Sequence, residues 1–210
     1  MQKQALIKYW KNNKIITDER VINAFAKVPR EDFLPKYLKE RAYEDVALPI
    51  AGGQTISQPS TVMIMTQALA VESGHTVLEI GTGSGYQAAI LSELVKPKGH
   101  VYTTEINKEA YEFGKKNLKQ YKNIAVIFSD GSMGAEAYAP FDRIILTAAS
   151  PSIPEPLIKQ LKDKGIIIAP LGTPYEQKMV IATKRGKHLT TKSIGEFVFV
   201  PLTGKYGFKH

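Results

Sequence analysis

The first part of the chain carries apolar residues at helical spacing, interrupted by proline. Residues 5–11 and 17–28 each place their apolar side chains on one face of a helix. Pro29 then ends the second helix, because proline removes a backbone donor and clashes with the preceding turn. Residues 30–39 predict one further short helix. The chain therefore begins with a helical extension.

Residues 46–58, with the sequence VALPIAGGQTISQ, break this pattern. They contain two adjacent glycines and no helical period, which predicts an irregular or extended segment. Pro59 suits the first turn of the next helix, which we expect to run to about Val71. Val62 is among the apolar residues on its inward face.

From Thr76 onward, short apolar strands alternate with amphipathic helices. The predicted strands are 76–80, 101–105, 125–129, 141–147 and 166–170, and the predicted helices are 86–95, 108–121 and 153–161. Such alternation is typical of a parallel sheet with helices on both faces.

The alternation stops near the end of the chain. Two further strands, 178–183 and 196–200, follow without a long helix between them and predict an antiparallel pair. The result is an α/β fold with a mostly parallel seven-stranded sheet whose C-terminal strand is antiparallel. We expect a single domain over residues 1–210, with an N-terminal helical extension at 1–72 and the α/β core at 73–210.

Composition places the chain among globular proteins and removes several kinds of chemistry. Hydrophobic residues make up 43% and charged residues 23% of the chain, which excludes a disordered or coiled-coil protein. The absence of cysteine excludes disulfides, thiol nucleophiles and thiolate metal sites, and we expect no metal. No apolar run approaches the roughly 20 residues of a membrane span, and the start lacks a signal-peptide core. We therefore expect a cytoplasmic protein without a membrane partner.

The formal charge of +8 is spread unevenly. Residues 1–45 carry a net +3, residues 46–150 a net −1 and residues 151–210 a net +6. A basic chain can bind nucleic acid, but this one has neither a Lys/Arg block nor an aromatic-basic repeat. An anionic peptide substrate fits the positive charge equally well. The sequence does not indicate an oligomeric state.

The most informative local motif is VLEIGTGSGYQAAIL at 77–91, which predicts a strand, a glycine-rich turn and a helix. Gly81, Gly83 and Gly85 would let a ligand approach the backbone beside the unpaired N–H groups of the helix. A nucleotide-like ligand is favoured, and a tight turn without a ligand is the alternative. A dinucleotide fingerprint needs glycine where Tyr86 stands, and a P-loop needs Lys followed by Ser or Thr, so both phosphate sites are disfavoured.

Three acidic residues follow the predicted strands at or near their ends. Glu79 is close to the end of the first strand, Glu105 ends the second and Asp130 ends the third. Glu105 stands 20 residues after Gly85, where a carboxylate can accept hydrogen bonds from ribose hydroxyls. Carboxylates repel a pyrophosphate but suit a cationic nucleoside such as S-adenosylmethionine. For Asp130, a role as a helix cap is an equal alternative.

Longer stretches of the chain resemble the protein-L-isoaspartate (D-aspartate) O-methyltransferase family. They are RAYED at 41–45, LPIAGGQTISQP at 48–59, FDRIILTAASPSIPEPLIKQL at 141–161 and FVPLTGKYGF at 199–208. The resemblance covers nearly the whole chain and implies the Rossmann-like fold of S-adenosylmethionine-dependent methyltransferases.

This resemblance implies a protein-repair activity. A methyl group moves from S-adenosyl-L-methionine to the free α-carboxylate of an L-isoaspartyl residue in a damaged protein or peptide. The ester then collapses to a succinimide that can reopen to aspartate. The family's active-site serine falls on Ser57, and the segment 201–208 would help close over the peptide. With the residues argued above, the expected cofactor-binding set is Ile56, Gln58, Val62, Glu79, Gly81, Gly83, Gly85, Glu105, Asp130, Gly131 and Thr203.

The chemistry of the acceptor agrees with this implication. A carboxylate with an ordinary pKa near 4 is already ionised at neutral pH, so its oxygen needs no general base. Alignment of oxygen, methyl carbon and sulfur can then suffice. Ser57 would orient the carboxylate as a hydrogen-bond donor, and a local capping serine before Pro59 is the alternative.

Three other functions share part of this pattern. An S-adenosylmethionine-dependent RNA methyltransferase would fit the basic ends, but GQTISQP and the absence of an RNA-binding appendage disfavour it. A non-catalytic peptide-binding module is the second alternative. It would not need the glycine motif and Ser57, so their presence disfavours it. A nicotinamide dehydrogenase is disfavoured by Tyr86.

Overall fold

A computed structural model describes residues 3–209, and residues 1, 2 and 210 lie outside the described part. The helices are α1 (Lys3–Asn12), α2 (Glu19–Lys27), α3 (Pro59–Leu69), α4 (Tyr86–Val95), α5 (Lys108–Asn117) and α6 (Glu155–Gln160). The strands are β1 (Leu48–Pro49), β2 (Thr55–Ile56), β3 (Thr76–Ile80), β4 (His100–Glu105), β5 (Ile124–Phe128), β6 (Phe141–Leu146), β7 (Leu161–Gly172), β8 (Gln177–Arg185) and β9 (His188–Phe197).

A seven-stranded sheet forms the centre, in the order β5-β4-β3-β6-β7-β8-β9. Strands β3 to β7 pair in parallel, whereas β8 pairs antiparallel with both β7 and β9. The predicted α/β sheet with an antiparallel C-terminal end is confirmed. The chain leaves β3 in one direction toward β4 and later returns on its other side as β6. The carboxyl ends of these strands therefore flank a topological switch point, where open α/β sheets bind ligands.

The helix boundaries follow from local chemistry. Asp18 caps α2 by accepting a hydrogen bond from the Arg20 N–H at 2.8 Å, and the helix ends two residues before Pro29. Pro59 occupies the first turn of α3, where its missing N–H has no cost. The predicted helices at 5–11, 17–28, 59–71 and 86–95 are confirmed.

Four predicted elements need correction. Residues 30–39 form two 3₁₀ helices, Arg30–Phe33 and Lys36–Arg41, because Pro35 interrupts them. The helix expected at 108–121 ends at Asn117, and the helix expected at 153–161 covers only Glu155–Gln160, since Pro154 precedes its first turn. The strand expected at 196–200 is wrong in its bounds. The last strand is β9, whose side chains are mostly exposed on both faces, so it lacks the apolar alternation that marks a strand.

The N-terminal helices share the hydrophobic core of the sheet. Trp10 of α1 and Phe25 of α2 belong to the same buried cluster as Ile145 of β6. Within the extension, the Trp10 indole donates to the Ser60 hydroxyl at 2.7 Å, and Ser60 donates to Asp45 at 2.6 Å. These bonds hold α1 against α3, and α3 contributes side chains to the same cluster as the sheet.

Candidate active site

A cavity of about 390 Å³ opens at the carboxyl ends of β3, β4 and β6, and we call it the first cavity. Its only charged lining residues among those described are Glu79 and Glu105. A pocket lined by two carboxyl groups and by no described Lys or Arg suits a cationic or hydrogen-bond-donating ligand and disfavours a pyrophosphate. The sequence-predicted residues that line it are Ile56, Ser57, Val62, Glu79, Gly81, Gly83, Glu105, Gly131 and Thr203.

The turn between β3 and α4 needs glycine for two different reasons. Gly81 has φ +97°, and a side chain there would collide with the Thr147 hydroxyl. Gly85 has φ +87°, and a Cβ there would lie 2.7 Å from Leu118 Cγ. Gly81 therefore leaves room for the Thr147 hydroxyl in the lining of the first cavity. Gly85 lines neither cavity and lets α4 pack against the residue that caps α5.

Glu79 is the most unusual group of the first cavity. Its side chain is fully buried, and neither carboxylate oxygen has a hydrogen-bond partner among the described residues. Burial, opposed by the nearby Thr103 hydroxyl and assisted by the charge of Glu105, raises the pKa of Glu79 to about 8. The Thr103 hydroxyl does not meet the geometry of a hydrogen bond to Glu79. An unpartnered carboxyl in a pocket of this kind is suited to a cationic or hydrogen-bond-donating ligand.

Glu105 is held rigidly at the end of β4. One of its oxygens accepts the Gly83 N–H at 2.9 Å, and the other accepts the N–H groups of Ile106 and Asn107 at 3.0 and 2.9 Å. Three of roughly four acceptor positions are therefore used within the protein. The geometry leaves room for one further donor, such as one ribose hydroxyl, where the sequence suggested two.

A second cavity of about 720 Å³ lies beside the first. Gln58, expected near the cofactor, lines this second cavity and not the first. Five residues line both cavities: Thr55, Ser57, Thr147, Phe199 and Val200. Ser57 thus stands at the boundary between two adjoining spaces.

Arg30 fixes the backbone at this boundary. Its guanidinium is completely buried and donates to the carbonyl oxygens of Ser57 and Ala42 at 2.9 and 2.5 Å. No described carboxylate forms a salt bridge with it, and burial lowers its pKa. A buried cation bonded to peptide carbonyls holds the segment before α3 in place. Sequence reasoning placed Arg30 only in a short helix, because the long-range partners of a single arginine leave no local pattern.

Asp130 lines neither cavity. One carboxylate oxygen accepts from the N–H and hydroxyl of Ser132 at 2.9 and 2.7 Å, which caps the 3₁₀ helix Gly131–Met133. The other accepts the Lys205 N–H at 2.8 Å. Asp130 is therefore a helix cap, as the alternative prediction held. It also anchors the C-terminal segment that carries Thr203 into the first cavity.

Several lining residues were missed by sequence reasoning. Thr147 follows β6, so the rule that placed Glu105 and Asp130 at strand ends could have found it. Phe199 and Val200 were assigned to a strand, yet they leave β9 and cross toward β6. No cluster of three or more potential His, Asp or Glu metal ligands occurs within residues 3–209, and no helix in this part of the chain could span a membrane.

Known proteins share both the sequence and the fold. The family model of protein-L-isoaspartate(D-aspartate) O-methyltransferase matches residues 1–207. The protein-L-isoaspartate O-methyltransferase of Methanosarcina mazei is 48% identical, over 92% of this chain and 81% of that protein. The enzyme of the same name from Methanothrix thermoacetophila is 44% identical, over 100% and 98% of the two chains.

Two solved structures extend the comparison. A protein-L-isoaspartate O-methyltransferase superposes with a TM-score of 0.89 at 29% identity, over 98% of this chain and 67% of that one. A putative member from Plasmodium falciparum, in complex with S-adenosyl-L-homocysteine, has a TM-score of 0.85 at 24% identity, over 97% and 99% of the two chains, and supports the fold. With a family match over nearly its whole length, the chain belongs to the protein-L-isoaspartate (D-aspartate) O-methyltransferase family and is a methyltransferase.

Proposed function

We propose that this methyltransferase repairs proteins by methylating the free α-carboxylate of L-isoaspartyl residues, with the first cavity for S-adenosyl-L-methionine and the second for the damaged peptide. The observation that carries the proposal is the shared wall, where Ser57 lines both cavities. A methyl donor in one space and a carboxylate in the other would meet there.

The residues of the first cavity fit this cofactor. Bound S-adenosyl-L-methionine would supply an electrophilic methyl group on a positively charged sulfur. The unpartnered Glu79 carboxyl and the fixed Glu105 carboxylate would hold the cationic part and a ribose hydroxyl, respectively. The open backbone at Gly81 and Gly83 would allow close approach, while Ile56 and Val62 supply apolar contact.

The protein's own part in the reaction is positioning. The acceptor carboxylate is ionised at neutral pH and needs no base. Ser57 would donate a hydrogen bond to one of its oxygens and leave the other directed toward the first cavity. Alignment of two bound reactants can contribute about 7 to 11 kcal/mol to catalysis. Arg30 keeps the Ser57 peptide group in register by binding its carbonyl.

The partners and location follow the same proposal. The substrates are proteins and peptides that contain L-isoaspartate, and nucleic acid is not among them. The absence of cysteine and of a spanning helix in residues 3–209 supports a cytoplasmic site of action.

Methyl transfer to a matched pair of synthetic peptides tests this proposal. The peptides are identical except that one contains L-isoaspartate and the other aspartate, and the methyl group of S-adenosyl-L-methionine is labelled. We expect base-labile label on the isoaspartyl peptide alone, with kcat/KM reduced about 10- to 100-fold in Ser57→Ala. Ser193→Ala is the control, because Ser193 is exposed on β9 and lines neither cavity. Label on neither peptide, despite cofactor binding, would overturn the proposal.

A further inference from the structure

Part of the wall between the two cavities is made by a segment that has left the sheet. After β9 the chain runs through residues 198–203 toward the end of β6. There the Ala149 N–H donates to the Val200 carbonyl at 2.8 Å, and the Leu202 N–H donates to the Ala149 carbonyl at 2.7 Å. Phe199 and Val200 face both cavities. The position of this segment, which we call the dividing segment, therefore sets the shape of the shared boundary.

A side-chain amide fixes the other end of the dividing segment. Gln177, the first residue of β8, is only 1% exposed. Its Oε1 accepts the Phe199 N–H at 2.8 Å, and its Nε2 donates to the Thr173 carbonyl at 2.6 Å. The Gln177 backbone pairs with Phe197, so the side chain bonds the chain two residues later. The Gln177 side-chain amide carries both a donor and an acceptor, as a peptide group does. It therefore continues the hydrogen bonding between β8 and the chain after β9 leaves the sheet.

The second bond of this amide reaches the turn between β7 and β8, which carries another lining residue of the second cavity. Thr173 begins the turn between β7 and β8, and its N–H donates to the Glu176 carbonyl at 2.9 Å. Glu176 lines the second cavity but not the first. Gln177 thus ties the turn that carries Glu176 to the dividing segment that carries Phe199. The first cavity also borders the dividing segment, through residues 199–203, but its two carboxyl groups and its glycine turn make no hydrogen bond with the Gln177 side chain.

We infer that Gln177 is a positioning residue that holds the dividing segment at the peptide cavity and acts on peptide use more than on cofactor binding. This inference rests on the proposed function of the second cavity. In Gln177→Leu, both side-chain hydrogen bonds are lost with little change in volume, so only backbone pairing still links the turn to the end of β9. We expect KM for the isoaspartyl peptide to rise about tenfold. The dissociation constant for S-adenosyl-L-homocysteine should change by less than about twofold.

Gln177→Glu gives a readout that a merely structural role would not move. An ionised carboxylate accepts the Phe199 N–H but cannot donate to Thr173, whereas a protonated carboxyl does both. Burial raises the pKa of a carboxyl, so this variant should recover both bonds as the pH falls. We expect its peptide KM, divided by that of the unmodified protein at the same pH, to fall from about tenfold at pH 9 toward one at pH 6.

The chain offers a matched control in Gln160. This residue is 8% exposed, and its amide also bridges two backbone groups, the Ala135 N–H at 2.8 Å and the Met133 carbonyl at 2.9 Å. It lines neither cavity. Gln160→Leu and Gln160→Glu should therefore leave the peptide KM within about twofold and without the pH trend, whatever they do to stability.

The outcomes separate the inference from the function on which it rests. If Gln177→Leu folds and keeps the peptide KM and kcat of the unmodified protein, or if the KM ratio of Gln177→Glu does not change with pH, the inference is overturned and the methyltransferase assignment stands. If the unmodified protein labels no isoaspartyl peptide, the proposed function is overturned and the inference with it.

Discussion

At the scale of single residues, the two carboxyl groups of the first cavity differ in how they are satisfied. Glu105 receives three backbone hydrogen bonds, while Glu79 receives none from the described residues. A buried carboxyl without hydrogen-bond donors, such as Glu79, favours its neutral form. In the cofactor-free protein, ionisation of Glu79 at high pH therefore destabilises the folded state.

This difference predicts a pH-dependent stability. The pKa of Glu79 is about 8 in the folded chain and near 4.5 when unfolded, so its stabilising contribution is complete below about pH 4.5 and is lost as the pH rises through 8. Between pH 5 and pH 9, the Tm of the cofactor-free protein should fall by roughly 5 to 10 °C more than that of Glu79→Gln. Thermal unfolding followed by circular dichroism measures this.

The control for the Glu79 experiment is Glu112→Gln, which removes an exposed carboxylate on α5. Its Tm should follow the same pH trend as the unmodified protein. Parallel pH trends for Glu79→Gln and the unmodified protein would mean that Glu79 is already satisfied in the folded chain.

At the scale of elements, the turn from β3 to α4 combines a backbone requirement with a packing requirement. Gly85 has a positive φ that a side chain adopts only with strain, and Leu118 occupies the space a Cβ would need. Gly74, in the loop before β3, has nearly the same φ, +86°, but nothing within 4 Å of a built Cβ. Gly74 therefore has only the backbone requirement, whereas Gly85 has both the backbone and the packing requirement.

Alanine substitutions at these two glycines should therefore differ in cost. We expect Gly74→Ala to lower the free energy of unfolding by about 1 kcal/mol through backbone strain alone. Gly85→Ala should lower it by about 2 to 4 kcal/mol, since Leu118 and the start of α4 must also shift. Urea unfolding of both variants measures the difference, and equal losses would show that Leu118 moves aside without cost.

At the scale of the whole molecule, the N-terminal extension and the α/β core share one hydrophobic cluster. Trp10 is the single tryptophan of the chain, and it lies completely buried where α1 meets Ser60 of α3. Its fluorescence reports on the extension, while far-ultraviolet circular dichroism reports on all helices and strands. These two signals can test whether the chain is one domain.

We predict that both signals lose their native value at the same urea midpoint, because a shared core unfolds as one unit. Ser60→Ala removes the partner of Trp10 and of Asp45 and should lower both midpoints together, by about 2 kcal/mol in unfolding free energy. Ser193→Ala should leave both midpoints in place. Separate midpoints for fluorescence and circular dichroism would divide the chain into two units near residue 72.

Local pattern was enough for the elements whose signals lie close together in the sequence. The alternation of strands and helices, Asp18 before α2 and Pro59 at the start of α3 all determine their structure within a few residues. Parallel strands end at one edge, so Glu79, Glu105 and Asp130 were expected to lie together there. Glu79 and Glu105 line the first cavity, whereas Asp130 does not. The bounds of the last strand were predicted wrongly because its mostly exposed residues show no periodic burial.

The sequence by itself determined the α/β class, the glycine turn and the family, since motifs and periodicity are properties of neighbouring residues. Only the tertiary structure decided that Ser57 stands between two cavities, that Asp130 anchors the C-terminal segment and that Gln177 holds Phe199. Arg30 belongs to the same group, because its bond to Ser57 joins positions 27 residues apart. Such contacts depend on how separate elements pack, and packing brings together side chains that no local pattern connects.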